Sequence, residues 1–205
     1  MPLEIEKRFK NFNYIEMIKN FKKIGIKNTK NQMQIFSSYI GIKKDQSIRI
    51  RIEGDKTTFT IKQKNAGSYD SEWEVVVNDY NMIDKMLSEL NIKKKYQMEK
   101  YREIYLTKNG KNEIVFDHYP GLPPYMEIES SSEAELKKTM KILNLVDEQP
   151  FSAKDLYYDL YGITKSREDS DLTFKNANKL MGNYILKNKT KFYAIIREQK
   201  KIFFK

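Results

Sequence analysis

Pairs of like charges, spaced two residues apart, recur along this chain. Three pairs are glutamates in E-x-E, and three are basic, in R-x-R, K-x-K and K-x-R. In chain order they are Glu4 and Glu6, Arg49 and Arg51, Lys62 and Lys64, Glu72 and Glu74, Lys100 and Arg102, and Glu127 and Glu129, while Arg8 and Asp117 add one charge of each sign. Residues at this spacing share one face of a β-strand, where like charges repel each other. The pattern therefore indicates ligands of opposite charge, with carboxylates suited to a hard divalent cation and the basic residues to a polyanion.

Apolar residues alternate with these charges, which predicts strands with one charged face and one buried face. Ile5, Ile50 and Trp73 each stand between the two members of a charged pair. A charged strand face is most often the solvated side of a half-buried sheet. Sorting by sign favours another interpretation, in which the strands close into a barrel with the charged face inward and helices cover the outside.

The elements that must position the charges are short strands and amphipathic helices. Alternation predicts strands over 3–10, 34–41, 47–53, 57–64, 71–77, 96–106, 112–119 and 124–130. Helical spacing predicts helices over 14–24 and 79–91, one after the capping box at Ser132, and one from Ser152 to about Tyr161. We therefore predict an α+β fold over residues 1–164, a closed antiparallel eight-stranded β-barrel covered by helices.

Composition changes after Gly162 to Lys, Asn and Asp, which indicates a separate C-terminal extension over residues 165–205. Apolar residues of this extension fit one helical stripe, namely Leu172, Ala177, Leu180, Met181, Tyr184 and Ile185. The main expectation is that this stripe packs on the barrel. A homodimer contact or a partner site is the alternative.

Bulk composition narrows the class of protein. The 205 residues include no cysteine and one histidine, and the formal net charge is +10. A disulfide framework and a cysteine zinc site are therefore excluded, and oxygen ligands favour Mg²⁺ or Mn²⁺. The charged start, MPLEIEKRFK, and the absence of a long apolar run predict a cytoplasmic protein without a membrane segment. Nucleic acid is not expected, because Phe59 and Trp73 fall on the strand face opposite the basic residues.

The segment Glu4-Ile5-Glu6-Lys7-Arg8 resembles the ExExK signature of the CYTH domains, or triphosphate tunnel metalloenzymes. The other matching motifs follow in the family's order: Arg49-x-Arg51, Lys62 in TIKQK, Glu72 and Glu74 in EWE, Lys100-x-Arg102, Asp117 in VFDHYPG, and Glu127-x-Glu129 in YMEIE. The resemblance covers roughly residues 1–164. Two features depart from the pattern: arginine replaces the signature lysine at position 8, and Tyr69-Asp70 precede EWE where a basic residue is expected.

The resemblance implies a role for each charged set. The implied metal ligands are first Glu4, Glu6 and Glu129, with Glu72, Glu74, Asp117 and Glu127 for a second ion or the attacking water. The implied triphosphate-binding residues are Arg8, Tyr39, Arg49, Arg51, Lys62, Lys64, Lys100, Arg102 and Lys154. The implied catalytic group is Glu4, Glu6, Arg8, Lys62 and Asp117.

The family includes inorganic triphosphatases, thiamine triphosphatases and class IV adenylate cyclases, so the resemblance implies more than one reaction. Attack by water on the triphosphate is the favoured expectation, because no separate adenine pocket can be identified in the sequence. Attack by a ribose 3′-hydroxyl, giving cyclic AMP and pyrophosphate, is the alternative. A second alternative is a sensor that binds polyphosphate or a nucleotide without turnover.

Overall fold

The computed structural model describes residues 5–64, 71–164, 171–177 and 184–204. Its strands are β1 (Ile5–Phe9), β2 (Lys27–Ile40), β3 (Gln46–Glu53), β4 (Lys56–Gln63), β5 (Ser71–Val77), β6 (Lys94–Leu106), β7 (Asn112–His118) and β8 (Tyr125–Ser130). Its helices are α1 (Tyr14–Ile24), α2 (Tyr80–Glu89), α3 (Glu133–Ile142), α4 (Ala153–Tyr161) and α5 (Lys189–Phe203). None of the helices within these ranges is long and apolar enough to cross a bilayer.

All eight strands form one antiparallel sheet in the order β1-β8-β7-β6-β2-β3-β4-β5. The predicted α+β fold with an eight-stranded antiparallel sheet is confirmed. Among the described residues, hydrogen-bonded pairing joins each strand to its neighbour in this order but does not join β1 to β5. The sheet is nevertheless curved, because Glu6 of the edge strand β1 and Glu74 of the edge strand β5 line the same cavity.

Strand β2 begins seven residues before the predicted position of Gln34. Its first part, KNTKNQ, has no apolar alternation, so the sequence pattern cannot identify it as a strand. Backbone pairing with β6 stabilises it, from Lys27 opposite Leu106 onward. The strand thus depends on a partner rather than on its own side chains.

Helices cover the outer face of the sheet with apolar side chains. Phe21 of α1 and Leu136 of α3 pack with Phe116 and Ile128 of the sheet, while Leu87 of α2 belongs to a second cluster over β2 and β3. Side-chain caps fix where four helices begin, with Asn13, Asp79, Ser132 and Ser152 each accepting a hydrogen bond from a first-turn amide. Because these helices cover the apolar outer face, the inner face is left for the charged side chains.

The described part of the C-terminal extension packs against the rest of the chain. Leu172, Ala177 and Ile185 are buried in a cluster with residues of α4 and α5. Leu172 lies in a parallel β-bridge with Met98 rather than in a helix. These three residues therefore pack against the rest of the chain, Leu172 without being part of a helix, whereas Leu180 and Met181 lie outside the described residues.

Candidate active site

A cavity of about 460 Å³ lies inside the curve of the sheet, and we call it the central cavity. Every strand except β7 contributes to its wall, as does the start of α4. The lining cations are Arg8, Arg49, Arg51, Lys62, Lys100, Arg102 and Lys154, and the lining carboxylates are Glu6, Glu72, Glu74, Glu127 and Glu129. Most of the charges that the strand pattern predicted on one face are thus brought together around one space.

Three carboxylates converge on one side of the central cavity. One oxygen of each of Glu6, Glu127 and Glu129 lies within 4.8 Å of the others, and we call these residues the carboxylate cluster. Antiparallel pairing produces this arrangement, because Glu6 of β1 lies directly opposite Glu129 of β8. Like charges directly opposite each other are destabilising in a sheet, so the cluster suits a cation among them. The remaining predicted member, Glu4, lies outside the described residues.

Arg8 extends along the carboxylate cluster. Its Nε donates to Glu127 Oε1 at 2.6 Å and its Nη2 donates to Glu6 Oε1 at 3.0 Å, while Nη1 donates to the Phe151 carbonyl at 3.4 Å. Burial opposes its charge, but the attraction of Glu127 and Glu6 outweighs burial and raises the pKa of the guanidinium. Arg8 therefore stays charged and holds two of the three clustered carboxylates.

Asp117 of β7 anchors the two cations of β6 that line the cavity, Lys100 and Arg102. The carboxylate is fully buried and accepts hydrogen bonds from Lys100 Nζ at 2.7 Å and from Arg102 Nε and Nη2 at 2.6 and 2.7 Å. Burial alone would raise the pKa of Asp117, but Lys100 and Arg102 outweigh burial and hold it below its usual range. For Lys100 burial is the stronger effect, and its pKa is lowered. Asp117 does not line the central cavity, so its assignment as a metal ligand stays a prediction, while its observed contacts are with cations.

The opposite wall carries the arginines of β3. Arg49 Nη2 lies 3.7 Å from Glu72 Oε1, and Arg51 Nη2 lies 3.3 Å from Glu74 Oε2. Burial first, and then the neighbouring Arg51, lower the pKa of Arg49. Within the described part of the chain, Nε of Arg49 is buried without a hydrogen-bond partner, whereas Nε of Arg51, which also lacks one, lies 3.2 Å from Glu53 Oε1 in an ion pair. Buried polar groups are normally hydrogen-bonded, so the Arg49 donor is suited to an anionic ligand.

The first turn of α4 closes one end of the central cavity. Ser152, Ala153 and Lys154 line the cavity, and Ser152 forms a full capping box with Asp155. Lys154 Nζ lies 5.1 Å from the centre of the Tyr96 ring. A helix N-terminus attracts anions through its unpaired amides and its dipole, so this end of the cavity adds positive potential to that of Lys154.

Two predicted residues lie away from the central cavity. Lys64 follows the last residue of β4 and is exposed, because the strand ends before its alternation would bring the side chain inward. Tyr39 points to the outer face of β2, where it is buried under α2 and donates to Asp84 Oδ1 at 2.5 Å. The prediction that these two residues face the ligand is wrong.

Several uncharged residues of the wall were not predicted as part of the site. They are Phe36, Tyr96, Met98, Tyr119, Tyr125, Ser152 and Ala153. Strand alternation could have identified four of them, because Phe36 shares a face with Gln34, Tyr96 and Met98 share a face with Lys100, and Tyr125 shares a face with Glu127. Tyr119 shares a face with Asp117 in the predicted strand 112–119, although β7 ends at His118 and Tyr119 itself lies in the loop after it.

Comparison with known proteins identifies the family. The family model described as the CYTH domain matches residues 3–158. Among solved structures, the PH1012 protein from Pyrococcus horikoshii OT3 has a TM-score of 0.62 and 21% identity, over 75% of this chain and 99% of that chain.

Two other solved structures share the fold at lower identity. A candidate adenylate cyclase from Vibrio parahaemolyticus has a TM-score of 0.61 and 16% identity, over 75% of this chain and 97% of that one. HpAC1 from Hippeastrum, described as having a dominant triphosphatase activity, has a TM-score of 0.52 and 14% identity, over 77% and 95%. No curated protein matches the sequence significantly. With the family model matching well over half of its length, the chain belongs to the CYTH domain family.

Proposed function

We propose that this protein hydrolyses a triphosphate bound in the central cavity, with the help of a divalent cation. The observation that carries the proposal is the pairing, within one cavity, of seven cations with the carboxylate cluster of Glu6, Glu127 and Glu129. A triphosphate carries several negative charges, and its burial requires cations on more than one side. The arginines of β3 and the cations of β6 supply them from different strands.

The chain's own residues would bind and orient the substrate. Among the described residues, Arg49 has a buried Nε without a hydrogen-bond partner, and guanidinium groups such as those of Arg49 and Arg51 can hold phosphate oxygens bidentately. Lys100 and Arg102 are held in place by Asp117, so they need little reorganisation when an anion arrives. Preorganised positive charge of this kind stabilises the charge that develops during phosphoryl transfer.

The carboxylate cluster fits a divalent cation by its donor set. Mg²⁺ and Mn²⁺ prefer oxygen ligands, and one oxygen from each of the three glutamates can reach a common point. When bound, such a cation neutralises phosphate charge and lowers the pKa of bound water. Glu6 and Glu127 also accept from Arg8, so Arg8 fixes the orientation of two of the proposed ligands.

One observation favours a substrate with an organic group, and with it the second candidate, a cyclase. Phe36, Tyr96 and Met98 form an apolar part of the cavity wall, and aromatic and thioether groups suit a planar ring. An inorganic triphosphate has no use for such a surface. Nucleoside and thiamine triphosphates are therefore candidates beside tripolyphosphate, and a nucleotide would also permit attack by the ribose 3′-hydroxyl.

Product analysis distinguishes these functions. The purified protein is incubated with tripolyphosphate, ATP or thiamine triphosphate, with Mg²⁺ or Mn²⁺, and phosphate, pyrophosphate and cyclic AMP are quantified. Release of phosphate supports hydrolysis, and cyclic AMP with pyrophosphate supports the cyclase. Binding without any product would support a sensor. Absence of both binding and product would overturn the proposal.

Paired arginine variants test whether the central cavity is the site. Arg49→Ala is expected to raise KM at least about tenfold, since charge-assisted hydrogen bonds to an anion contribute roughly 1.5–3 kcal/mol. Arg197→Ala, on the exposed face of α5, is the matched control and should leave KM unchanged. Equal effects of the two variants would argue for a binding site elsewhere.

A further inference from the structure

The loop between β7 and β8, residues 119–124, carries part of the cavity wall. Tyr119 lines the central cavity, its ring stacks on that of Tyr125 at 6.0 Å, and Lys100 Nζ lies 5.8 Å from its centre. Because Tyr119 belongs to a loop, no strand ladder fixes its position. A turn hydrogen bond from the Leu122 amide to the Tyr119 carbonyl at 3.0 Å supports it from within the loop, and the other hydrogen bonds to the loop come from outside the sheet.

Gln199 of α5 makes three hydrogen bonds to this loop. Its Nε2 donates to the carbonyls of Tyr119 at 2.9 Å and Leu122 at 3.1 Å, and its Oε1 accepts from the Gly121 amide at 2.8 Å. The side chain is only 5% exposed, so these bonds replace contacts with water. A buried amide that reaches three backbone groups at once restricts the loop to one conformation, although the Tyr119 carbonyl also accepts from the Leu122 amide within the loop at 3.0 Å.

Other contacts show how closely the loop is packed. Gly121 has φ +77°, and a Cβ at this position would lie 2.1 Å from the Phe192 ring of α5. From α4, Tyr157 Oη donates to the Pro120 carbonyl at 2.7 Å and Tyr161 Oη donates to the Gly121 carbonyl at 2.5 Å. The loop therefore fits against α4 and α5 with little freedom to move.

The same C-terminal extension also binds the strand that carries Lys100. The Leu172 amide donates to the Gln97 carbonyl at 2.8 Å and the Leu172 carbonyl accepts from the Glu99 amide at 2.9 Å. Glu99 Oε2 accepts from the Phe174 amide at 2.8 Å. Leu172 and Phe174 lie beyond the region matched by the CYTH domain model, residues 3–158. The extension thus contacts two parts of the cavity wall, β6 and the Tyr119 loop.

From these contacts we propose that Gln199 is a positioning residue that holds Tyr119 in the wall of the central cavity, so that the C-terminal extension is part of the triphosphate site. The inference rests on the proposed function. It assigns to Gln199 no contact with substrate, because its amide is fully engaged by the loop. Its effect on the site is exerted through Tyr119.

A double-mutant cycle tests this role. Gln199→Leu preserves the approximate size of the side chain and removes all three hydrogen bonds. Affinity for tripolyphosphate with Mg²⁺ is measured by calorimetry, with kcat and KM, for Gln199→Leu, Tyr119→Ala and the double variant. We expect Gln199→Leu to weaken binding about tenfold when Tyr119 is present but less than about twofold when residue 119 is alanine, because coupled sites are non-additive. Hydrogen exchange of residues 119–124 should also become faster in Gln199→Leu.

Controls separate positioning from stability. Ile196→Val removes buried volume from the same helix without a hydrogen bond to the loop, and is expected to lower the melting temperature without changing affinity. Tyr157→Phe removes one loop hydrogen bond and serves if Gln199→Leu does not fold, with a smaller loss in the same direction. Provided that the wild-type protein binds triphosphate, two results would overturn the inference. One is an equal loss of affinity from Gln199→Leu whether residue 119 is tyrosine or alanine, and the other is unchanged affinity in both Gln199→Leu and Tyr157→Phe. Failure of the wild-type protein to bind any triphosphate would overturn the proposed function, and this inference with it.

Discussion

Arg102 donates to both oxygens of Asp117, from Nε at 2.6 Å and from Nη2 at 2.7 Å, and the two side chains form a bidentate ion pair at the wall of the central cavity, which Arg102 lines. The same Nη2 donates to Glu127 at 2.9 Å. One guanidinium therefore connects a fully buried carboxylate to the carboxylate cluster. A change in the position of Asp117 would therefore shift Arg102 and, through it, Glu127 of the carboxylate cluster.

Replacement of Asp117 tests how much this ion pair contributes to the free energy of unfolding. Asp117→Asn leaves Lys100 and Arg102 without their buried counter-charge, and we expect the free energy of unfolding to fall by roughly 3–5 kcal/mol. Urea denaturation at neutral pH measures the change, with Asp55→Asn in an exposed turn as the control. Because a bound polyanion would replace the lost charge, tripolyphosphate should stabilise Asp117→Asn more than the wild-type protein. Equal unfolding free energies for the two variants would contradict the prediction.

The low pKa of Asp117 also predicts how stability depends on pH. A carboxyl whose folded pKa lies below its unfolded value, about 3.9, contributes stability that is present above that value and is lost as the pH falls through the folded pKa. The difference in unfolding free energy between wild type and Asp117→Asn should therefore be constant near neutrality and shrink below about pH 4. Urea denaturation from pH 3 to pH 7 measures this difference. If the difference in unfolding free energy grew on acidification, the pKa of Asp117 would be raised in the folded protein rather than lowered.

If the carboxylate cluster binds a divalent metal, activity should depend on that metal and on the charge of Glu6. Glu6→Gln keeps size and removes charge, and we expect kcat/KM to fall by on the order of 100-fold because metal-bound charge stabilisation contributes several kcal/mol. Activity is measured across a Mg²⁺ titration, where the variant should also need more Mg²⁺. Glu89→Gln, exposed at the end of α2, is the control. Unchanged Mg²⁺ dependence in Glu6→Gln would remove Glu6 from the proposed metal site.

Arg8 stands where the family signature has lysine, so Arg8→Lys restores the family residue. Arginine reaches Glu127, Glu6 and the Phe151 carbonyl from three different nitrogens, whereas lysine has one, and we expect the unfolding free energy to fall by about 1 kcal/mol. Activity should remain within a few-fold of wild type, because the positive charge beside the cluster is kept. Denaturation and steady-state kinetics measure the two effects, and complete loss of activity would show that the guanidinium itself is required.

Tyr39 provides a test of the observed strand orientation. Tyr39→Phe removes a hydrogen bond to Asp84, and bonds to charged groups contribute roughly 1.5–3 kcal/mol to stability. We expect a lower melting temperature with kcat and KM unchanged, since the side chain lies on the outer face. A raised KM with unchanged stability would instead place the hydroxyl at the ligand.

The sequence pattern was informative where side chains alternate along a strand and uninformative where backbone or distant segments decide. The spacing of Arg49 and Arg51 with intervening isoleucines was enough to orient β3, and the arrangement of these arginines on the cavity wall follows from it. Tyr39 was misplaced because the resemblance suggested a role that its position on β2 does not allow. Asp117 lies opposite Arg102 and Tyr125, on the face that the pattern predicted, but it is bonded to Lys100 and Arg102 and does not line the cavity itself.

The contribution of the C-terminal extension could not be predicted from local pattern. Leu172 was read as part of a helical stripe, yet its backbone pairs with β6, because the β7 pairing of β6 ends at Tyr101 and leaves Gln97 and Glu99 free to bond. Gln199 gave no signal, since a glutamine in a basic helix is ordinarily solvated. Only the fold shows that its amide reaches a loop whose residues are 77 to 80 positions away.

That separation has a consequence during synthesis. Every strand of the sheet leaves the ribosome before α5 does, so the sheet can pair while the loop bearing Tyr119 still lacks its fastening. The central cavity is therefore completed late, when the last described helix, α5, has been synthesised and has packed. A nascent chain would carry the cations and carboxylates in place before it had a finished pocket.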